Sequence, residues 1–141
     1  MRIKEHILFK YFFLGVTGGS LYCCLELLWR HWTDTSMFFV AFLLFIVIGG
    51  MNQWSRRELS FPKQMFFGAV IVTCVEFAAG LILNFWLELD IWDYSSMPLN
   101  LMGQVCLPYS VLWFFLCALI ILADDYIRWK FFGEEKPHYT F

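Results

Sequence analysis

Four stretches of the chain, at about 11–29, 37–54, 65–87 and 109–127, are apolar and nearly free of charge. A helix needs about 20 mostly apolar residues to cross the hydrocarbon core of a bilayer, and each stretch is close to that length. The second is the shortest, because Asn52 and Gln53 close a strictly apolar run of 37–51, so it must borrow interfacial residues to cross. Four such helices use most of the 141 residues, which predicts one all-α integral membrane domain of four transmembrane helices. Composition supports the choice of solvent. Hydrophobic residues make up 60% and charged residues 16% of the chain, against about 45–50% and 25% in soluble domains. An ordinary soluble enzyme is excluded.

The basic residues give these helices a direction. Arg2, Lys4 and Lys10 lie before or at the first span, Arg56, Arg57 and Lys63 between the second and third, and Arg128, Lys130 and Lys136 after the fourth. Arg30 stands alone in the first opposite loop, so the positive-inside rule predicts that both termini are cytoplasmic. Aromatic residues suit both interfaces, with Trp54, Tyr126 and Trp129 on the inner side and Trp29, Trp32, Trp86, Trp92 and Tyr109 on the outer. The N-terminus has the basic start of a signal peptide but no small-x-small cleavage site, and reads as a retained first span. The net charge of −2 invites no nucleic acid. Cys23, Cys24, Cys74, Cys106 and Cys117 form no CxxC pair, and read as reduced packing residues rather than metal ligands. His6 and His138 fall on the cytoplasmic side and His31 on the other, so neither a metal centre nor any cofactor is expected.

The polar exceptions inside the spans carry the chemistry. Glu76 lies near the middle of span three, where a carboxylate must be neutral, paired or facing a cavity. With Gly80, Asn84 and Glu88 it forms an i, i+4 stripe rising to the outer surface, expected to face the bundle. Hydrogen bonding to another helix and a substrate, ion or proton path are both open for it. Glu26 and Arg30 stand in the favourable order for an i, i+4 pair. Arg30 could otherwise offer its fork to an anion, or tie to Glu88, Asp90 or Asp93. Gly15, Gly18 and Gly19 form a small-residue face for close helix packing, and Gly49 and Gly50 are a contact or a hinge. Asp124 and Arg128, also i, i+4, read as a solvated helix end that Gly133 breaks before a polar tail.

The segment 89–104 is too greasy for a solvated loop and too polar for a span, so it is expected to lie in the interface or re-enter the bundle. Asp93 before Ser95 and Ser96 suggests a capped turn, Pro98 suits a first helical turn and Gly103 a helix stop. These signals predict a short interfacial or re-entrant helix between spans three and four. Its polar side chains would sit above the stripe and complete an outward-facing acidic pocket. The expected members are Glu26, Arg30, Glu76, Asn84, Glu88, Asp93, Tyr94, Ser95, Asn100 and Gln104, with no catalytic residue among them.

The run Trp92-Asp93-Tyr94-Ser95 followed by Pro98, Asn100, Gly103 and Cys106 resembles the WDYS-x-x-P-x-N-x-x-G-x-x-C signature of the bacterial Putative ABC-transporter type IV, or CmpB-like, membrane proteins and of the related vertebrate TMEM229 proteins. The likeness extends over nearly the whole chain, through the Leu-Glu-Leu-Leu-Trp-Arg stretch of span one and the Glu76, Gly80 and Asn84 stripe, while 31–36 departs from the pattern. It implies a small polytopic protein of the bacterial inner membrane, named as a permease component. No GxxxxGK[ST] phosphate loop is present, so ATP hydrolysis would fall to a separate ATPase subunit. Four short helices make a thin-walled bundle, and a permease role calls for a homo-oligomer or a membrane partner beside the lipid bilayer. A second reading is a non-catalytic membrane subunit or assembly factor. A third, an enzyme acting on lipid or envelope substrates, lacks a converging nucleophile, histidine and carboxylate.

Overall fold

A computed structural model of the chain describes residues 3–54 and 59–141, with side chains for 6–51 and 59–141. The basic residues Arg2, Arg56 and Arg57 and the side chains of Lys4 and Trp54, on which the expected orientation partly rests, lie outside the described residues. The fold is all-α. The helices are α1 (Ile3–Arg30), α2 (Thr35–Trp54), α3 (Phe61–Gly80) and α4 (Leu107–Phe132), and a π-helical segment, Leu81–Trp86, prolongs α3. Three helical stretches, His6–Arg30, Phe61–Trp86 and Leu107–Phe132, are long and apolar enough to cross a membrane, and Thr35–Met51 is a shorter apolar helix. Large apolar side chains on them stand outward, as Leu8, Leu43 and Phe115 do. Such faces suit hydrocarbon rather than water.

The chain divides into two compact units, residues 1–59 with 120–140, and 60–119 with Phe141. In the first unit α1 packs on α2. A Cβ on Gly15 or Gly18 would collide with the rings of Phe42 and Phe45, and one on Gly19 would come within 2.8 Å of Phe38. The glycines of span one therefore receive phenylalanines of α2, which is how small residues let membrane helices approach. Leu14, Ile48 and Ile121 are the fully buried apolar residues there. Between α1 and α2, Asp34 occupies the N-cap and accepts from the Ser36 amide at 2.9 Å. The two Ser36 hydrogen bonds, side chain first and backbone second, hold the Asp34 carboxyl below its ordinary range.

In the second unit α3 starts after an extended Ser60, with Pro62 in its first turn, where a missing amide hydrogen does no harm. Past the π-helical segment the chain leaves helical geometry. Glu88 and Asp90 have φ of 55° and 51°. The short helix expected between spans three and four does not form. In its place lie a turn at 94–97 and a two-stranded antiparallel ladder, β1 (Asn100–Leu101) on β2 (Val105–Cys106). Leu99, Met102 and Gly103 all take positive φ, which no α-helix tolerates. Two successive left-handed residues, Met102 and Gly103, suit a hairpin turn of the primed type. Asn100 also works against a helix. Its side-chain amide donates to the Met97 carbonyl at 2.9 Å and its carbonyl accepts from the Gly103 amide at 3.0 Å.

Candidate functional site

Glu76 is 8% exposed on α3 and is held by two donors. The Tyr94 hydroxyl donates to Oε1 at 2.8 Å and the Trp113 indole N–H to Oε2 at 2.9 Å. Both are neutral groups, so the carboxylate is answered by dipoles and not by a cation among the described residues. Tyr94 is fixed in turn, its ring stacked on Tyr109 with centroids 4.7 Å apart. Tyr109 and Trp113 are four residues apart on α4, so one face of that helix supports the tyrosine and supplies the second donor. Sequence reasoning missed Trp113. Its position inside an apolar run gave no polar signal, although an indole N–H in apolar surroundings needs an acceptor.

A second cluster sits one and two turns further along the same helix. The Asn84 amide donates to Gln104 Oε1 at 2.8 Å, and Asn84 Oδ1 accepts from the Ile91 amide at 2.7 Å. Gln104 also donates from its own amide to the Met102 carbonyl at 3.1 Å, and its carbonyl accepts from the Trp92 indole at 2.9 Å. Gly80 is required here, because a Cβ would strike Gln104 Oε1. The loop thus plugs down onto α3 through Ile91, Trp92 and Gln104, all buried. Asp93 lies outside this contact. It is exposed and turns its carboxylate onto the Ser95 hydroxyl and amide, which hold its carboxyl below the ordinary range.

Of the expected pocket members, the structure therefore joins Glu76 to Tyr94, Asn84 to Gln104, Asp93 to Ser95, and Asn100 to the carbonyls of Ser95 and Met97. Glu88 is not brought in. The stripe ends at Asn84, because the π-helical turn and the left-handed residue at Glu88 carry the chain away, and Glu88 is exposed. Glu26 and Arg30 belong to the first unit, where they pair with each other at 2.9 Å. Thr33 donates to Glu26 at 2.7 Å and Trp32 lies 4.8 Å from the Arg30 guanidinium carbon. The local ion pair is the option adopted.

The C-terminal end of α4 corrects a further expectation. It is not a solvated helix end, since Asp124 is 0% and Arg128 2% exposed. Their ion pair measures 2.8 Å, and a Cβ on Gly49 would strike the Asp124 carboxyl group. Gly133 does end the helix, with φ 67°. The tail then turns back, so that Glu134 meets Lys10 of α1 at 2.9 Å and the Tyr139 hydroxyl donates to Asp125 at 2.9 Å. Burial, then the Asp125 charge, push the Tyr139 hydroxyl above its ordinary pKa. Charge spacing alone described the Asp124 and Arg128 pair but not the cover that tail and helices place over it.

The family model for Putative ABC-transporter type IV matches residues 6–134. The chain belongs to that family. No curated protein and no solved structure gives a match. The CmpB-like family and the three long apolar helices together make this a multi-pass membrane protein. The Glu76, Tyr94 and Trp113 cluster and the Asn84 and Gln104 cluster both fall inside the matched residues.

Proposed function

We propose that this chain is a permease-like component of a transporter, crossing the cell membrane four times with both termini in the cytoplasm. The observation that carries the reading is Glu76, a carboxylate buried within a span and capped by a tyrosine from the following loop. Intramembrane acids in such positions mark ion or proton paths. Tyr94, Asn84, Gln104, Asp93, Ser95 and Asn100 form the polar, outward-facing mouth above it, and Glu88 contributes charge at the rim. The Glu26 and Arg30 pair is a further polar feature, at the outer end of α1. A role in ATP-driven transport requires a separate ATPase subunit, since the chain has no phosphate loop.

The test is flux. In proteoliposomes holding the full chain, proton and rubidium movement under an imposed potential is expected for the wild type and lost in Glu76→Gln. Wild-type flux in that variant removes Glu76 from the mechanism. A second reading, a non-catalytic membrane subunit, is favoured by one observation: both Glu76 oxygens and both ends of the Asn84 side chain are already engaged. Affinity capture from native membranes separates the two. A stoichiometric partner without flux supports the subunit, and flux without a partner supports the permease.

A further inference from the structure

The Asp124 and Arg128 ion pair is only half of the fork it could make. Arg128 Nε donates to Asp124 Oδ2 at 2.8 Å, while Arg128 Nη2 and Asp124 Oδ1 make no hydrogen bond among the described residues. A third buried atom, Glu134 Oε2, is in the same position and lies 3.9 Å from Arg128 Nη1, too far for a direct hydrogen bond. All three belong to one connected chain of charges, Lys10 to Glu134 to Arg128 to Asp124. Asp124 and Arg128 are each more than nine-tenths buried, so bulk solvent does not satisfy them. Buried polar atoms left in this way are costly, and an ordered water or ion is a common answer to them in native structures.

The chemistry of the three atoms selects that species. Asp124 Oδ1 and Glu134 Oε2 accept, and Arg128 Nη2 donates. A metal cation would satisfy the two oxygens but meet the guanidinium with repulsion, and an anion would satisfy the nitrogen but meet two carboxylates. Water donates twice and accepts, which is the complement required. We propose that the C-terminal end of α4 contains a sealed hydration site in which one water bridges Asp124 Oδ1, Arg128 Nη2 and Glu134 Oε2. The water ties the C-terminal segment to α4, in parallel with the Lys10 to Glu134 and Tyr139 to Asp125 contacts. The Tyr11 ring, 5.5 Å from the Arg128 guanidinium carbon, closes one side, and Gly49 of α2 leaves room for the Asp124 carboxyl on another.

Proton-detected NMR of the full chain in lipid bilayers, labelled with nitrogen-15 arginine, tests the site through water-to-guanidinium magnetisation transfer. Arg128→Lys identifies the Arg128 signals by their loss. The expected result is a water contact to Arg128 from a water that exchanges slowly with bulk. Glu134→Ala, a change in the non-helical tail, is expected to abolish that contact while the Arg128 signals persist. No water contact, or contact only by fast exchange with bulk, overturns the proposal. So does a contact unchanged in Glu134→Ala, or one displaced by sodium or potassium at fixed ionic strength.

Discussion

Glu76 and Asp124 are both carboxylates buried in apolar helices, yet they are accommodated by opposite means. Glu76 rests on two neutral donors from the loop and α4, whereas Asp124 rests on a cation one turn along its own helix. The difference teaches what each site can do. A dipole-capped carboxylate can gain or lose a proton without stranding a partner, because tyrosine can reverse its role in the hydrogen bond. An ion pair cannot. Protonating or removing one member leaves the other charge buried and unanswered. The Glu76 site is built to tolerate change, and the Asp124 site to resist it.

The largest expected effect comes from breaking the resistant side. Arg128→Ala should destabilise the chain by about 3–5 kcal/mol, measured by unfolding in micelles, because it abandons a buried carboxylate. A loss near zero would show that Asp124 is answered from elsewhere. On the tolerant side, Glu76→Ala strands two donors and should cost about 1–3 kcal/mol. Glu76→Gln should be close to neutral, with its carbonyl accepting from Trp113 and its amide donating to Tyr94. Equal losses for Glu76→Gln and Asp124→Asn in the same assay would erase the distinction. Gly18→Ala touches neither acid but drives a methyl into Phe45. It should cost about 1–3 kcal/mol by overpacking, with the Glu76 contacts read by Trp113 fluorescence unchanged.

The smallest effect concerns Asp93, whose folded carboxyl is held below its ordinary range by Ser95. A lowered folded pKa contributes stability that is present above the unfolded pKa and is lost as pH falls through the folded one. The Asp93 turn should therefore stay intact at neutral pH and loosen only below the usual aspartate range. The Ser95 amide chemical shift reports it, and Asp93→Asn should remove the transition. A Ser95 shift that already moves between pH 8 and pH 6 would contradict this ordering.

Helix positions and helix contacts were legible because they depend on long, redundant signals. Three of the four apolar runs lie in helices long enough to span, and Gly15, Gly18 and Gly19 needed only helical spacing to predict a close neighbour. The Glu26 and Arg30 pair and the Asp93 turn were legible too, being local. The failures depended on tertiary cover or on single dihedral angles. Asp93, Pro98 and Gly103 fit a capped helix as well as a hairpin, and only the left-handed residues at Leu99 and Met102 decide between them. Non-glycine residues give little notice of such angles. The Asp124 and Arg128 spacing is the same on a wet helix and a dry one. Burial by the tail and Gly49 decides, and neither is a property of α4.

The π-helical segment Leu81–Trp86 also sets the register of everything that follows it. A π turn amounts to one extra residue accommodated in a helix. Removing it would return the segment to α geometry, moving the downstream chain by about 1.5 Å along the axis and about 100° around it. Asn84 would swing off Gln104, and the loop carrying Tyr94 would be re-aimed relative to Glu76. The register that sets Asn84 on Gln104 and Tyr94 on Glu76 thus rests on one residue's worth of extra winding in the helix below the loop.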